Sequence, residues 1–293
     1  MSLYLKQKNK YSILFLLISL FFLLINIFEI KGGYKKGAED IEGGKIVFVL
    51  DVSKSMKVQD IQNDKNIFSR IRTSKDIIKK YIINNINNDY GLIIFAGEAL
   101  EVLPFTNDVD IFNTILFGIN ESNISKFGTN INSIFSSLKN YFISEKDGGL
   151  VVIFSDLGDE EIDINKEQLE NLKNKGVKIL LVGVATEKGG KIPVGKDFFG
   201  RDIYKIYNYE EVVSKLNIIE LKRISKKYNI DSIVLDNMND FEIINNYITK
   251  NINLIDLERS INNRVDLTRI FILISFLSFI LFLYTENFVG KRK

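Results

Sequence analysis

Five apolar residues in succession, Ile46-Val47-Phe48-Val49-Leu50, run directly into Asp51-Val52-Ser53-Lys54-Ser55-Met56. A short run that is apolar at every position and rich in β-branched side chains has no face to offer solvent. It therefore reads as a buried strand of a parallel sheet covered on both sides. Parallel neighbours need long crossover connections, normally helices, and ligands of open α/β sheets bind beyond the carboxyl ends of the strands. Here a carboxylate and two hydroxyls follow such an end. Three oxygen side chains at that place are a seat for a hard divalent cation.

The chain beyond this strand keeps the same rhythm. Phe68 to Ile86 has apolar residues at Phe68, Ile71, Ile77, Ile78, Tyr81, Ile82 and Ile86, a helical spacing that leaves Arg and Lys on the other face. Leu92–Ala96 and Ala99–Phe105 read as short strands, and Asp108–Phe117 as a helix capped by Asn107 or Asp108. After the polar loop Glu121–Asn130, Ile131–Phe142 returns to helical spacing. Leu150-Val151-Val152-Ile153-Phe154 is a second wholly apolar strand, ended by Ser155-Asp156-Leu157-Gly158. A short helix over Glu167–Asn174, a strand over Val177–Val184, a long loop or hairpin over Ala185–Tyr207, helix over Glu210–Tyr228 and an edge strand at Ser232–Leu235 complete the series. Strand and helix alternate over residues 45–236, which predicts one doubly wound, mostly parallel α/β domain. A span of about 190 residues is enough to bury a sizeable core.

The ends of the chain differ in kind. Tyr11–Ile30 holds only Asn26 and Glu29 as strongly polar residues, follows Lys6, Lys8 and Lys10, and is long enough to cross a bilayer as a helix. It exceeds the apolar core of a signal peptide and shows no Ala-x-Ala site before Lys31, so an uncleaved anchor is expected. A second apolar block starts at Ile270, reaching to residue 286 as an expected span, with Lys291, Arg292 and Lys293 beyond it. Residues 237–269 read as a helical connector. Two spans put both termini on one side, here the cytoplasm, with the central domain in the periplasm.

Composition excludes several function classes. There is no Cys and no His, hence no disulfide, no thiol nucleophile, no His-based triad and no ordinary zinc site. A net charge of +2 and the lack of an interior basic run argue against nucleic acid. The Lys188-Gly189-Gly190-Lys191 segment lacks the spacing of a phosphate loop. The acids Asp159, Glu160, Glu161 and Asp163 read as a solvated cluster before a helix.

Three loops converge at one sheet edge in such a topology: the one bearing Asp51, Ser53 and Ser55, the one bearing Thr129 in Gly128-Thr129-Asn130, and the one bearing Asp156. Two carboxylates and three hydroxyls form an all-oxygen set that favours Mg²⁺, with Mn²⁺ or Ca²⁺ as the other candidates. Neutral hydroxyl donors leave the ion electrophilic and able to take one more carboxylate from outside.

In this order and setting, these residues resemble the metal-ion-dependent adhesion site of von Willebrand factor A domains. The resemblance implies a Rossmann-like fold and a metal held by Asp51, Ser53, Ser55, Thr129 and Asp156. Ser69-Arg70-Ile71-Arg72-Thr73-Ser74-Lys75, Gly91 to Gly97, and Leu103-Pro104-Phe105-Thr106-Asn107-Asp108 are further similar to the bacterial Bat-type aerotolerance membrane proteins. That likeness implies an envelope adaptor or assembly factor, not an enzyme, working with a MoxR-type AAA+ ATPase and with other domains of its own kind. A surface adhesin that binds host matrix and a metal-dependent hydrolase are the rival readings; the hydrolase lacks an evident general base. One departure stands out: the family's residue after the later aspartate is Gly, and here it is Leu157, which implies an altered turn at Asp156.

Overall fold

The structure is a computed structural model and describes all residues except 1, 26–30, 35–43, 64–65, 121–122, 125, 127, 144–147, 159–160, 238–239, 263, 267 and 289–293. The chain divides into two compact units, one of residues Ile41–Arg259 and one of the two chain ends, Met1–Asp40 with Ser260–Lys293.

The larger unit is built on a six-stranded sheet: β1 (Lys45–Asp51), β2 (Asp89–Phe95), β3 (Ala99–Thr106), β4 (Gly149–Ser155), β5 (Val177–Val184) and β6 (Asp231–Leu235). The spatial order is β3-β2-β1-β4-β5-β6. Every pairing is parallel except β2–β3, a hairpin at one edge. The order reverses between β1 and β4. That reversal opens a crevice at the carboxyl edge, because the connections from these two neighbours leave toward opposite faces.

Alternation along β1 divides the core. Ile46, Phe48 and Leu50 face one layer, with Ile77, Ile78, Tyr81 and Ile82 of α2 (Arg70–Asn84), Phe112 and Leu116 of α3 (Val109–Gly118), and Ile244, Ile248 and Ile252 of α7 (Phe241–Asn262). Val47 and Val49 face the other, with α4 (Ile131–Tyr141), α5 (Lys166–Asn174) and α6 (Ile218–Tyr228). Burial of β1 on both faces is what its unbroken apolar run requires. Gly91 of β2 is where Tyr141 lies: a Cβ there would sit 2.3 Å from its ring. The Tyr141 hydroxyl donates to the Leu92 and Leu103 carbonyls (3.1 and 2.6 Å) and so fastens α4 to both strands of the edge hairpin.

Several elements depart from expectation. The polar stretch after Met56 forms a hairpin, Gln59–Asn63 with Asn66–Ser69, and α2 starts only at Arg70 behind the Ser69 cap. Ile86, expected on the buried face of that helix, is 61% exposed. Residues 210–214 are not helical. Glu210–Glu211 and Val213–Ser214 are short strands paired back onto Ile206–Tyr207 and Gly190–Lys191, and α6 begins at Ile218, capped by Asn217. Asp108, of the two candidate caps, is the one that receives the Ile111 N–H (2.9 Å).

In the smaller unit α1 (Ser2–Ile25) packs against α8 (Thr268–Phe288). Ser19, Ser275 and Ser278 lie buried in the seam. Ser275 Oγ donates to the Ser19 carbonyl and Ser278 Oγ to the Phe15 carbonyl, both at 2.9 Å. Leu14, Leu17, Leu20, Phe21, Leu273, Phe276 and Leu277 are exposed. Among the described residues no helix is long and apolar enough to cross a membrane. Residues 26–30 of the expected first span lie outside the described residues, and side chains are described over residues 12–25 of α1 and 270–285 of α8.

Candidate metal centre

Asp51 is the last residue of β1 and is wholly buried. Its Oδ1 accepts the Ser53 backbone N–H (2.8 Å), a tight turn that points the chain back over the strand end. A one-turn 3₁₀ helix, Lys54–Lys57, follows. It brings the Ser53 and Ser55 hydroxyls to 3.0 Å of each other. On the neighbouring strand, Ser155 Oγ donates to Asp51 Oδ2 (2.6 Å) and accepts the Leu157 N–H (3.0 Å). Ser155 thus stitches the two loops across the crevice. Asp156, also wholly buried, lies beside it. Burial pushes the Asp51 carboxyl up to about 7, and the charge of Asp156 pushes in the same direction; the hydrogen bonds from Ser155 and Ser53 oppose both. The two carboxylates thus lie close enough in a dry site for the charge of one to bear on the other.

Asp156 has a counter-charge beside it. Arg70 Nη1 donates to Asp156 Oδ2 at 2.6 Å, with both side chains fully buried. The same guanidinium grips Asp60 through Nε and Nη2 (3.0 and 2.7 Å), and reaches Ser214 Oγ (2.8 Å) and the Ser214 carbonyl (2.9 Å). Ser214 Oγ in turn donates to Asp156 Oδ2 (3.1 Å). Sequence reasoning placed this arginine on the solvated face of its helix. The signal that could have found it is the pair of loop acids, Asp60 and Asp156, which need a partner if buried.

Leu157 has φ +65° and Gly158 φ +60°. The turn after Asp156 therefore takes the left-handed conformation that glycine favours, although the first of its residues is leucine. The cost for an L-residue there is about 1–2 kcal/mol. Burial offsets it: Leu157 is 1% exposed and joins the core layer of Val47 and Val49.

Thr129 is half-buried behind Gly128, whose φ is +103°. The Asn130 N–H donates to the Ala96 carbonyl just past β2 (2.7 Å), so Thr129 belongs to the same carboxyl edge. It lines a cavity of about 390 Å³ with Leu157, Gly158 and Ile162. Among the described residues Asp51, Ser53, Ser55 and Asp156 are linked into one polar cluster, while Thr129 stands across the rim with no hydrogen bond to them. No group of three or more acids, His or Cys that could hold a metal exists among the described residues. A cation here would depend on two carboxylates with hydroxyls. The donors are all oxygen, the carboxylates are desolvated, and the hydroxyls converge, so the residues fit a hard divalent ion. Of the acid cluster, Asp159 and Glu160 lie outside the described residues. Asp163 is bound to Lys227 (2.6 Å) and to the Tyr228 hydroxyl, and Glu161 to Arg223 (3.3 Å).

The sequence profile of the von Willebrand factor type A domain matches residues 46–159, from within β1 to just past the Asp156 turn. Residues 46–159 thus match a von Willebrand factor type A domain, and the chain is similar to Bat-type proteins. The solved structure of the conserved hypothetical protein BatB from Bacteroides thetaiotaomicron is similar at 27% identity and a TM-score of 0.60, over 71% of this chain and 98% of that one. An aerotolerance-related membrane protein from Bacteroides fragilis, carrying multiple mutations to serine, gives 27% identity and 0.60 over 72% and 99%. A relative from Borreliella burgdorferi, described as an uncharacterized protein, is 30% identical over 172 residues, 56% of this chain. The chain spans about half (48%) of the length of that relative.

Proposed function

We propose that this protein is a membrane-anchored interaction module in which Asp51, Ser53, Ser55, Thr129 and Asp156 hold Mg²⁺, or Mn²⁺ or Ca²⁺ in its place, and the ion accepts a carboxylate from a partner protein. One observation carries the reading: two buried carboxylates and two converging hydroxyls share the crevice where the strand order reverses. The bound ion would supply an electrophilic coordination position. Asp51 would orient the first loop, Ser53 and Ser55 would offer neutral donors, and Arg70 would neutralise Asp156 so that the site keeps an open demand for negative charge. Among the described residues both carboxylates of the site are already engaged, Asp51 by Ser53 and Ser155 and Asp156 by Arg70 and Ser214, which supports a module that binds over one that catalyses. The inside-out polarity of the α1–α8 pair, with serines in the seam and leucines and phenylalanines outside, supports a lipid setting. We place the domain on the periplasmic side of the inner membrane. The Bat-type resemblance of its sequence leads us to read it as an envelope assembly factor working beside other domains of its kind and a MoxR-type ATPase.

Calorimetric titration of the full chain in detergent with Mg²⁺ tests this. Asp51→Ala should abolish binding with the fold intact by circular dichroism. Equal Mg²⁺ binding by the variant would sink the metal assignment.

A further inference from the structure

Between β5 and α6 the chain makes an excursion, residues 186–217, at the same carboxyl edge as the metal loops. Its main hairpin pairs Pro193–Lys196 with Asp202–Tyr204, and the Pro193–Lys196 strand lies against the turn Lys54–Lys57 that carries Ser55. Its base is tied to the site through Ser214, which donates to Asp156 and receives Arg70. The tip is apolar and open to solvent. Phe198 is 98% exposed and Phe199 78%, their rings set edge to face at 5.6 Å. A second turn nearby exposes Ile206, Tyr207 and Tyr209, the last fully. Asn208 and Tyr209 both have positive φ (50° and 66°), the two-residue turn whose second position normally takes glycine. A tyrosine there costs about 1–2 kcal/mol and gains no packing in return. Aromatic side chains held out in this way mark a contact surface.

We infer that this aromatic hairpin is the second half of a composite docking surface, and that the partner is a protein presenting a carboxylate to the metal and an apolar patch to Phe198 and Phe199. The inference rests on the metal reading proposed above and names the partner's chemistry. Reach permits it. The tip is at most roughly 22 Å of extended chain from any residue of the strand that touches the Ser55 turn. A standard interface covers about 800 Å² per partner, which is a patch some ~32 Å across. Charge selects a protein over an anionic lipid surface. Lys196 pairs with Asp202, Arg201 with Asp197 and Lys191 with Glu211 (3.2, 2.7 and 2.5 Å), and residues 187–211 hold five basic and five acidic side chains. Arg201 also lies over the Phe199 ring (5.4 Å), but Asp197 holds it, and the balance of charges leaves the hairpin no net positive charge to draw it to headgroups, unlike the Lys- and Arg-rich polar faces of lipid-binding segments.

The test is panning of displayed cyclic peptides with randomised flanks and a fixed central Asp, or Asn in a control library, against the full chain in detergent with Mg²⁺ or with chelator. Peptides should be enriched only from the Asp library and only with Mg²⁺, with aromatic or aliphatic residues to one side of the Asp. The double variant Phe198→Ser, Phe199→Ser should weaken the selected peptides about tenfold or more and leave the Mg²⁺ titration unchanged. Equal affinity for the variant would overturn the hairpin's role and leave the metal reading standing. Enrichment from both libraries with chelator present would instead overturn the metal reading. Loss in the variant of binding to phosphatidylglycerol–phosphatidylethanolamine vesicles, or of self-association in sedimentation, would assign the hairpin to lipid or to a second copy and overturn the inference.

Discussion

The central domain and the α1–α8 pair are assembled from the same leucines, isoleucines and phenylalanines, yet they dispose them in opposite senses. Around β1 the large side chains are sealed in: Phe48 is 0% exposed and touches Tyr81, Tyr90, Phe112 and Phe154. In the helix pair the sealed groups are serines, and Phe276 stands 63% exposed. A hydroxyl donating to a carbonyl in a helix seam contributes only modestly, about 0.6 kcal/mol on average in membrane proteins. In the lipid setting proposed above, its value would lie in letting two backbones approach where apolar burial offers no driving force. The two parts differ in where their polar groups sit more than in how many they have.

Truncation should separate the two parts most strongly. Phe48→Ala removes a ring from a closed aromatic cluster and should cost about 3–5 kcal/mol, read as a lowered midpoint in chemical denaturation of the domain. Phe276→Ala should leave that midpoint within about 0.5 kcal/mol. Equal losses would erase the distinction. Leu17→Lys probes the outer face of α1 directly. In a bilayer it should cost about 2.5–3.5 kcal/mol of insertion, visible as loss of the protein from carbonate-washed membranes; unchanged retention would make the face aqueous. Acid gives the smallest effect. The Arg223 guanidinium holds the Glu220 carboxyl below its ordinary value of 4.5, and the Ile162 N–H bonded to it lowers it further. A carboxyl lowered by folding contributes stability above its unfolded value and loses that contribution as pH falls through the folded one. Domain stability should decline below about pH 4.5, and Glu220→Gln should flatten the decline. The described side chains of the helix pair include no Asp, Glu, Lys or Arg, so the serine contacts of the α1–α8 seam should not respond.

Much of the domain was legible because two central strands, β1 and β4, carry unbroken apolar runs, Ile46–Leu50 and Leu150–Phe154, a pattern that admits few folds. The β1 and β4 runs gave the buried pair, and the acids at their ends gave the two carboxylates of the candidate site. What the sequence hid was tertiary in origin. Arg70 looked like a surface charge because helical spacing reports which face is apolar and not which polar side chain is drawn inward by distant acids. Leu157 suggested a changed turn, but its conformation is decided by the core pocket waiting for its side chain. Residues 210–214 carry no periodic signal, since Glu210–Glu211 pair with Ile206–Tyr207 and Val213–Ser214 with the distant Gly190–Lys191.

The reversal of strand order between β1 and β4 has a consequence for how this protein can diversify. The connection from β1 runs to α2 on one face and that from β4 to α5 on the other, so the crevice between them is guaranteed by chain path and not by any single contact. The loops that rim it are free to lengthen or change their side chains while the framework stays put. On the function proposed above, recognition of new partners would be a matter of rewriting the rim, with the cation as the constant grip and the neighbouring excursion as the variable one.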